Sequence, residues 1–188
     1  MSKSAKQGYT EAQRYLELIV EWTKQEAEQG NGWSQHLLGY IYKCEKLGKP
    51  FYEQAFYWYE KAAEQGIEES QFILGSMCKK GQGVAKDYAK ACEWWEKAAK
   101  QGNTDAQYYL ADMYYNGYGV EKNYAKACEW WEKAAKKGNA YAQYRLGDMY
   151  YYGYGVEKDI QKAREWWDKA AKQGNTDAKE KLKRLLSI

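Results

Sequence analysis

A single period runs the length of this 188-residue chain. Gly30, Gly66, Gly102, Gly138 and Gly174 stand 36 residues apart, as do Trp22, Trp58, Trp94, Trp130 and Trp166, and Leu38, Leu74, Leu110, Leu146 and Leu182. Residues 103–138 and 139–174 are identical at 25 of 36 positions. A unit this short cannot bury an apolar face alone, so its copies must stack and share a core with their neighbours. The period thus predicts an all-α, right-handed α-solenoid of helix–turn–helix repeats.

Within a unit the residues divide into two helices. In the third, Asn103 or Thr104 can cap a first helix through about Tyr115, and Thr104-x-x-Gln107 has the form of a capping box. The string "NGYGV" then ends it, because Gly117 and Gly119 tolerate positive φ. Asn123 starts the second helix, as Asp87 and Asp159 do in neighbouring units, and that helix stops at Gly138. Ala127, Trp130, Trp131, Ala134 and Ala135 follow the spacing of one broad apolar stripe. Both tryptophans of each pair are therefore expected in the core. The array divides into a cap at 1–30, repeats at 31–66, 67–102, 103–138 and 139–174, and a cap at 175–188. The 31–66 unit departs from the rest, with Glu45 and Leu47 where glycines would stand, so its inter-helix loop should differ.

Composition narrows the class. Aromatics reach 17%, with 20 Tyr and 9 Trp, yet charged residues are 29% and mean hydropathy is −0.94. The apolar surface must therefore form a thin, patterned layer. No run of about 18 apolar residues occurs, so no transmembrane helix is expected. The start "MSKSAKQGYTEAQ" lacks an apolar segment after its lysines and implies the cytoplasm, although a chain already relieved of its leader would read the same. The net charge of +3 does not by itself indicate nucleic acid. Cys44, Cys78, Cys92 and Cys128 include no CxxC, and His36 is the one histidine, so no metal site and no cofactor are expected. All four cysteines read as reduced, a Cys78–Cys92 bridge across one hairpin being the alternative.

The strings "LADMYYNGYGVEKNYAKACEWWEKAAKKG" and "LGDMYYYGYGVEKDIQKAREWWDKAAKQG" resemble the Sel1-like repeat family, a relative of the tetratricopeptide repeat. The resemblance runs from about Thr10 to Lys183. It implies a helical solenoid whose first helices line a concave surface and whose members mostly act as adaptors. Some cysteine-rich relatives are linked to β-lactam binding, but this chain lacks their regular cysteine pairs and any serine nucleophile motif.

Other chemistry finds little footing. The loops Gly81-Gln-Gly83, Gly117-Tyr-Gly119 and Gly153-Tyr-Gly155 follow helices and recur once per unit, which makes them helix-end devices rather than dinucleotide cradles. His36 has no serine or cysteine pattern suggesting a nucleophile–base pair. Asp112 and Asp148 fall one repeat apart and do not converge as hydrolytic acids would. No enzyme is expected.

What remains is the first-helix face opposite the core. Counted from the repeat leucine at 100° per residue, it carries Trp33, His36, Tyr40, Phe72, Lys79, Lys80, Asp105, Tyr108, Asp112, Tyr115, Tyr141, Tyr144, Asp148, Tyr151 and Tyr152. Clustered aromatics pointing away from a core mark interaction sites. The reading is a monomeric, non-enzymatic scaffold that binds a peptide or protein segment in a Tyr/Asp-lined concave groove. A bacterial regulatory, immunity or effector-partner protein is a special case of it. Lysines toward the N-terminus and aspartates toward the C-terminus would orient that segment, its basic end over the aspartates. The alternative is a single-stranded nucleic acid or small ligand in the same aromatic groove.

Overall fold

The computed structural model describes residues 3–44 and 50–186, which contain ten α-helices and no strand. They fall into two compact units, Met1–Lys86 and Asp87–Ile188. The first unit holds α1 (Lys3–Glu28), α2 (Gly32–Lys43), α3 (Tyr52–Glu64) and α4 (Glu68–Lys80). The second holds α5 (Tyr88–Gln101), α6 (Thr104–Asn116), α7 (Tyr124–Lys136), α8 (Ala140–Tyr152), α9 (Ile160–Lys172) and α10 (Thr176–Leu186). This is the α-solenoid class, with helix pairs repeating at the period of the sequence. Glu45 and Leu47, the departure expected in the 31–66 unit, lie outside the described residues.

Most of the helices begin at a side-chain cap; α3 and α4, which follow Phe51 and Ile67, do not. Asn31, Asn103 and Asn139 cap first helices, their Oδ1 atoms accepting from the backbone N–H three residues on, and Asp87, Asn123 and Asp159 cap second helices in the same way. The capping box read at Thr104 does not form. The cap is Asn103, and Gln107 Nε2 instead donates to Ala99 O at the end of the preceding helix, 3.1 Å away. Gln35, Gln71 and Gln143 make the same bond to Ala27, Ala63 and Ala135. These buried amides tie each first helix to the second helix before it.

The paired glycines have two separate jobs. Gly117 and Gly153 close α6 and α8 in the left-handed region, at φ 74° and 73°. Gly119 and Gly155 add a close approach: a Cβ on Gly155 would lie 2.4 Å from the backbone carbonyl carbon of Tyr124. The tight packing lets the loop of one hairpin lie against the start of the previous second helix.

The tryptophan pair splits, contrary to its reading as uniformly buried. Trp95, Trp131 and Trp167 are buried to 1% exposure or less, among Ala127, Ala134, Leu146 and Met149 in the case of Trp131. Their neighbours Trp94, Trp130 and Trp166 are only half-buried, each covered by a lysine three residues on at about 4 Å from the ring (Lys97 at 3.9 Å, Lys133 at 3.9 Å and Lys169 at 4.0 Å). Trp22 is 59% exposed. Adjacent helical residues point 100° apart, so the stripe has room for one indole at its centre and leaves the other at its edge. A small residue on the facing helix admits the central ring: a Cβ on Gly147 would meet Trp167 Cδ1 at 2.4 Å.

Candidate functional site

In the second unit α6 and α8 carry the expected tyrosines and aspartates, but Tyr108, Tyr115, Tyr144 and Tyr151 pack against the core rather than pointing away from it. Asp105, Tyr141 and Tyr152 are exposed, while Tyr108, Asp112, Tyr115, Tyr144, Asp148 and Tyr151 are half-buried. The half-burial comes from contacts between successive helices. Tyr115 leans on Trp131 at 5.5 Å between centroids and Tyr151 on Trp167 at 5.2 Å, so the aromatic face is founded on the buried indoles. Tyr108 reaches toward Tyr141 of the next helix, with centroids 6.2 Å apart.

Two of the three aspartates already face cations within the unit. Asp112 faces Arg145, whose Nη2 is 4.0 Å away, and Asp148 Oδ1 lies 3.2 Å from Lys181 Nζ on α10. Asp105 Oδ1 accepts a long contact from Asn139 Nδ2 at 3.5 Å. The acidic polarity expected over the C-terminal repeats is therefore offset at Asp112 and Asp148 and kept at the exposed Asp105, whose contact is neutral. Arg145 also interacts with the Tyr108 hydroxyl, which favours its charged form. Burial raises the Tyr108 and Tyr144 hydroxyls above the ordinary tyrosine value; the Arg145 charge opposes this at Tyr108, and the Asp148 carboxylate adds to it at Tyr144. Both phenols are hydrogen-bonding groups rather than phenolates.

Lys181 is the most enclosed cation of this face. Its Nζ is 3.2 Å from the Tyr152 hydroxyl and within 6.0 Å of the ring centroids of Tyr151, Tyr152 and Trp167. Burial disfavours its charge, but the Tyr152 hydrogen bond and the Asp148 carboxylate outweigh that and hold the ammonium above the ordinary lysine value.

The first unit presents a different face. Trp33 and Tyr40 are 62% and 57% exposed, Lys80 is exposed, and His36, Phe72 and Lys79 are half-buried. The sequence offered His36 no serine partner, yet α4 brings Ser70 Oγ to 2.8 Å from His36 Nδ1. Ser70 is fully buried, so its hydroxyl cannot meet a substrate and the pair serves as a tether between α2 and α4. The imidazole packs edge-on against Trp33 and Tyr59, and burial lowers its pKa despite the nearby Glu69 carboxylate. Burial also lowers Lys43, helped by the charge of Lys80.

Arg145 and Lys181 escaped the sequence reading because they sit one residue before the repeat leucine, a position held by Leu37, Ile73 and Tyr109 in earlier units. A change from apolar to basic at one register was the available signal. Tyr118 and Tyr154 were read only as loop residues, but each stacks on a tyrosine that opens a second helix, Tyr88 at 5.4 Å and Tyr124 at 5.2 Å. Among the described residues no three His, Cys, Asp or Glu side chains come together as metal ligands, and no helix is long and apolar enough to cross a membrane. The four cysteines are free thiols; Cys92 and Cys128 are buried, which pushes their pKa values up to about 11 and about 12.

The fold and this face define a helical-repeat protein with an aromatic, internally charge-paired surface. The Sel1 repeat model matches residues 34–67, 68–103, 104–139 and 140–175, and the chain belongs to the Sel1 repeat family. It is similar to c5321, a protective antigen of uropathogenic Escherichia coli with an SLR fold, at 36% identity and TM-score 0.83, covering 95% of this chain and 41% of that one. It is also similar to a Sel1 repeat protein from Oxalobacter formigenes, at 38% identity and TM-score 0.76, covering 88% and 48%. Helicobacter pylori cysteine rich protein B is 27% identical with TM-score 0.54, covering 72% and 97%. The chain thus spans less than half the length of the first two. No curated protein matches it in sequence. Sel1-repeat proteins are generally non-enzymatic scaffolds for protein–protein interaction.

Proposed function

We propose that this chain is a non-enzymatic adaptor that binds a peptide or protein segment across the first-helix face of residues 87–188. The observation that carries the reading is the row Tyr108, Tyr115, Tyr144 and Tyr151: partly exposed rings held by buried neighbours, two of them packed directly on core indoles. Rings already fixed in this way offer contact area at low entropic cost. The bacterial sources of its relatives fit a bacterial regulatory or effector-partner role, and we place the chain in the cytoplasm.

The test is selection of binders from a random peptide display library against the full chain. Tyr144→Ala should weaken the selected peptides by about 5- to 150-fold, the range of a hot-spot truncation of roughly 1–3 kcal/mol. Lys133→Ala, on the second-helix surface, should leave binding unchanged. Equal effects of the two changes would overturn the reading.

A single-stranded nucleic acid on the same unit is the second reading. It is favoured by the near-parallel rings Tyr124, Tyr154 and Tyr152, with Lys122 4.9 Å from the Tyr124 centroid. Steeply salt-dependent binding of oligonucleotides would support it.

A further inference from the structure

The turn that follows a first helix is built three times on one plan. Gly81 and Gly83, Gly117 and Gly119, and Gly153 and Gly155 all have φ between 69° and 74°. In each turn the residue between the glycines donates its N–H to a methionine carbonyl, Met77, Met113 or Met149, at 3.0–3.1 Å. That middle residue is Gln82 in the first unit, and Tyr118 and Tyr154 in the second. The turn therefore forms without an aromatic ring, and the two tyrosines need a reason of their own.

Both are exposed rings on fixed supports. Tyr118 is 49% exposed and Tyr154 39%. Tyr118 lies on Tyr88, the first residue of α5, with the ring planes 21° apart, and Tyr154 on Tyr124, the first residue of α7, with the planes 18° apart. Their carbonyls accept from the thiols of Cys92 and Cys128, each at 3.4 Å. Gly119 and Gly155 hold the backbone close against the starts of α5 and α7. Tyr152 extends the second stack, 5.5 Å from Tyr154 and 49% exposed. Rings pinned in this way lose little freedom when a partner covers them.

The two stacks are equivalent constructions one repeat apart. Within the unit α6 and α8 pack directly, Arg145 on Asp112 and Tyr108 toward Tyr141, so their equivalent points are separated by about 8–10 Å, the distance between packed helices. A polyproline II helix repeats every three residues at about 3.1 Å each, roughly 9 Å per turn. Its residues i and i+3 thus meet successive stacks in register. A β-strand returns to the same face after roughly 6.6 Å and does not. Rings within a stack stand 5.2–5.5 Å apart, which leaves no slot for a nucleic-acid base between them.

The chemistry of the surface agrees with the spacing. Beside the stacks stand Glu121 with Lys122, and Glu157 with Lys158, all exposed. These balanced pairs offer no net positive charge to a phosphate backbone and no penalty to an uncharged segment. Proline rings pack on aromatic ridges, and a polyproline II backbone has no internal hydrogen bonds, so its carbonyls can accept from phenol hydroxyls.

We propose that the Tyr88–Tyr118 and Tyr124–Tyr154 stacks form a docking ledge for a proline-rich segment in the polyproline II conformation, with prolines three residues apart on successive stacks. The ledge is a second surface of this unit, separate from the row of Tyr108, Tyr115, Tyr144 and Tyr151.

The test is selection against the full chain from a displayed peptide library with proline fixed at every third position, followed by titration of the selected peptides. Tyr118→Gln and Tyr154→Gln give these turns the residue that the first unit carries at position 82, so both variants should keep their helical circular dichroism. Each should weaken binding by about tenfold or more, as for loss of an aromatic anchor, while Tyr154→Phe should keep most of it. Moving the prolines to every second position should weaken binding to the unaltered chain by a similar factor, a readout that needs no variant to fold. Tyr144→Ala should leave these peptides bound. Peptides that bind both glutamine variants as well as the unaltered chain, or that tolerate the moved prolines, would overturn the ledge, as would a library that yields no binder. Peptides that need Tyr144 but neither Tyr118 nor Tyr154 would also overturn it and would support the adaptor reading alone. A short oligothymidylate that binds more tightly than the peptides, with steep salt dependence and a need for both tyrosines, would assign the ledge to nucleic acid instead.

Discussion

In residues 87–188 the central slot of every second helix holds an indole, Trp95, Trp131 or Trp167; in residues 1–86 the same register holds Thr23 and Tyr59. All five side chains are buried to 1% exposure or less. The two units also differ on the opposite side of the first helices. One links its repeats through a neutral histidine–serine contact, the other through Asp–Arg and Asp–Lys pairs and a row of tyrosines. The difference teaches that the larger ring in the slot extends to the edge of the first helix, where it supports the tyrosine above it. Tyr115 and Tyr151 have such a support. The site and the core are thus parts of one packed column in the second unit.

Four experiments can break or sharpen this comparison. The largest effect should come from Trp131→Ala, about 3–5 kcal/mol by denaturant unfolding, as for other large aromatic truncations. Trp130→Ala, at the half-buried edge, should cost clearly less. Equal losses would erase the distinction between centre and edge.

Glycine substitutions come next. Gly155→Ala adds a Cβ at φ +69 within 2.4 Å of the Tyr124 backbone, whereas Gly138→Ala at φ +93 meets nothing within 4 Å. The first should cost about 2–5 kcal/mol, combining overpacking with left-handed strain, and the second about 1–2 kcal/mol from strain alone. A thermal melt of each variant gives the ranking.

A smaller change should be favourable. Gln65 and Gln173 donate to the side-chain oxygens of Gln35 and Gln143, each at 2.8 Å. At the equivalent register stands Lys137, which bonds Gly102 O instead, and Gln107 Oε1 is buried without a partner. Lys137→Gln should restore the missing bond and stabilise the chain by up to about 1 kcal/mol. A lower melting midpoint would show that the lysine contact matters more.

The smallest effects concern pH and act in opposite senses in the two units. His36 has a lowered pKa, so its contribution is fully present above the ordinary histidine value of 6.5 and is lost as pH falls through that value toward the folded one. Lys181 has a raised pKa, so its contribution is present below the ordinary lysine value and is lost as pH climbs through the folded one. His36→Gln should flatten the acid limb of stability, and Lys181→Met the alkaline limb. A variant that flattens the other limb would refute its assigned group.

Much of the fold was legible because it rests on short-range rules. Asn123 and Asp159 announce helix starts by their own side chains, and Gly117 and Gly153 announce helix ends by their freedom at positive φ. The capping box at Thr104 was misread because Gln107 had two acceptable partners, one local and one a helix away. The helical wheel found the faces of α6 and α8, but it could not show Arg145 turning onto Asp112 or Lys181 onto Asp148. Those pairs join residues 33 positions apart, and a wheel contains one helix only.

The amino-acid order by itself determined the period, the helix boundaries and which face of each helix would be apolar, because backbone geometry repeats every few residues whatever lies beyond. Tertiary structure decided which tryptophan of each pair fills the core, which aspartates are neutralised, and which loop tyrosines stack on the start of another helix. Those outcomes depend on volumes and charges meeting across helices, and such meetings exist only once the chain has packed.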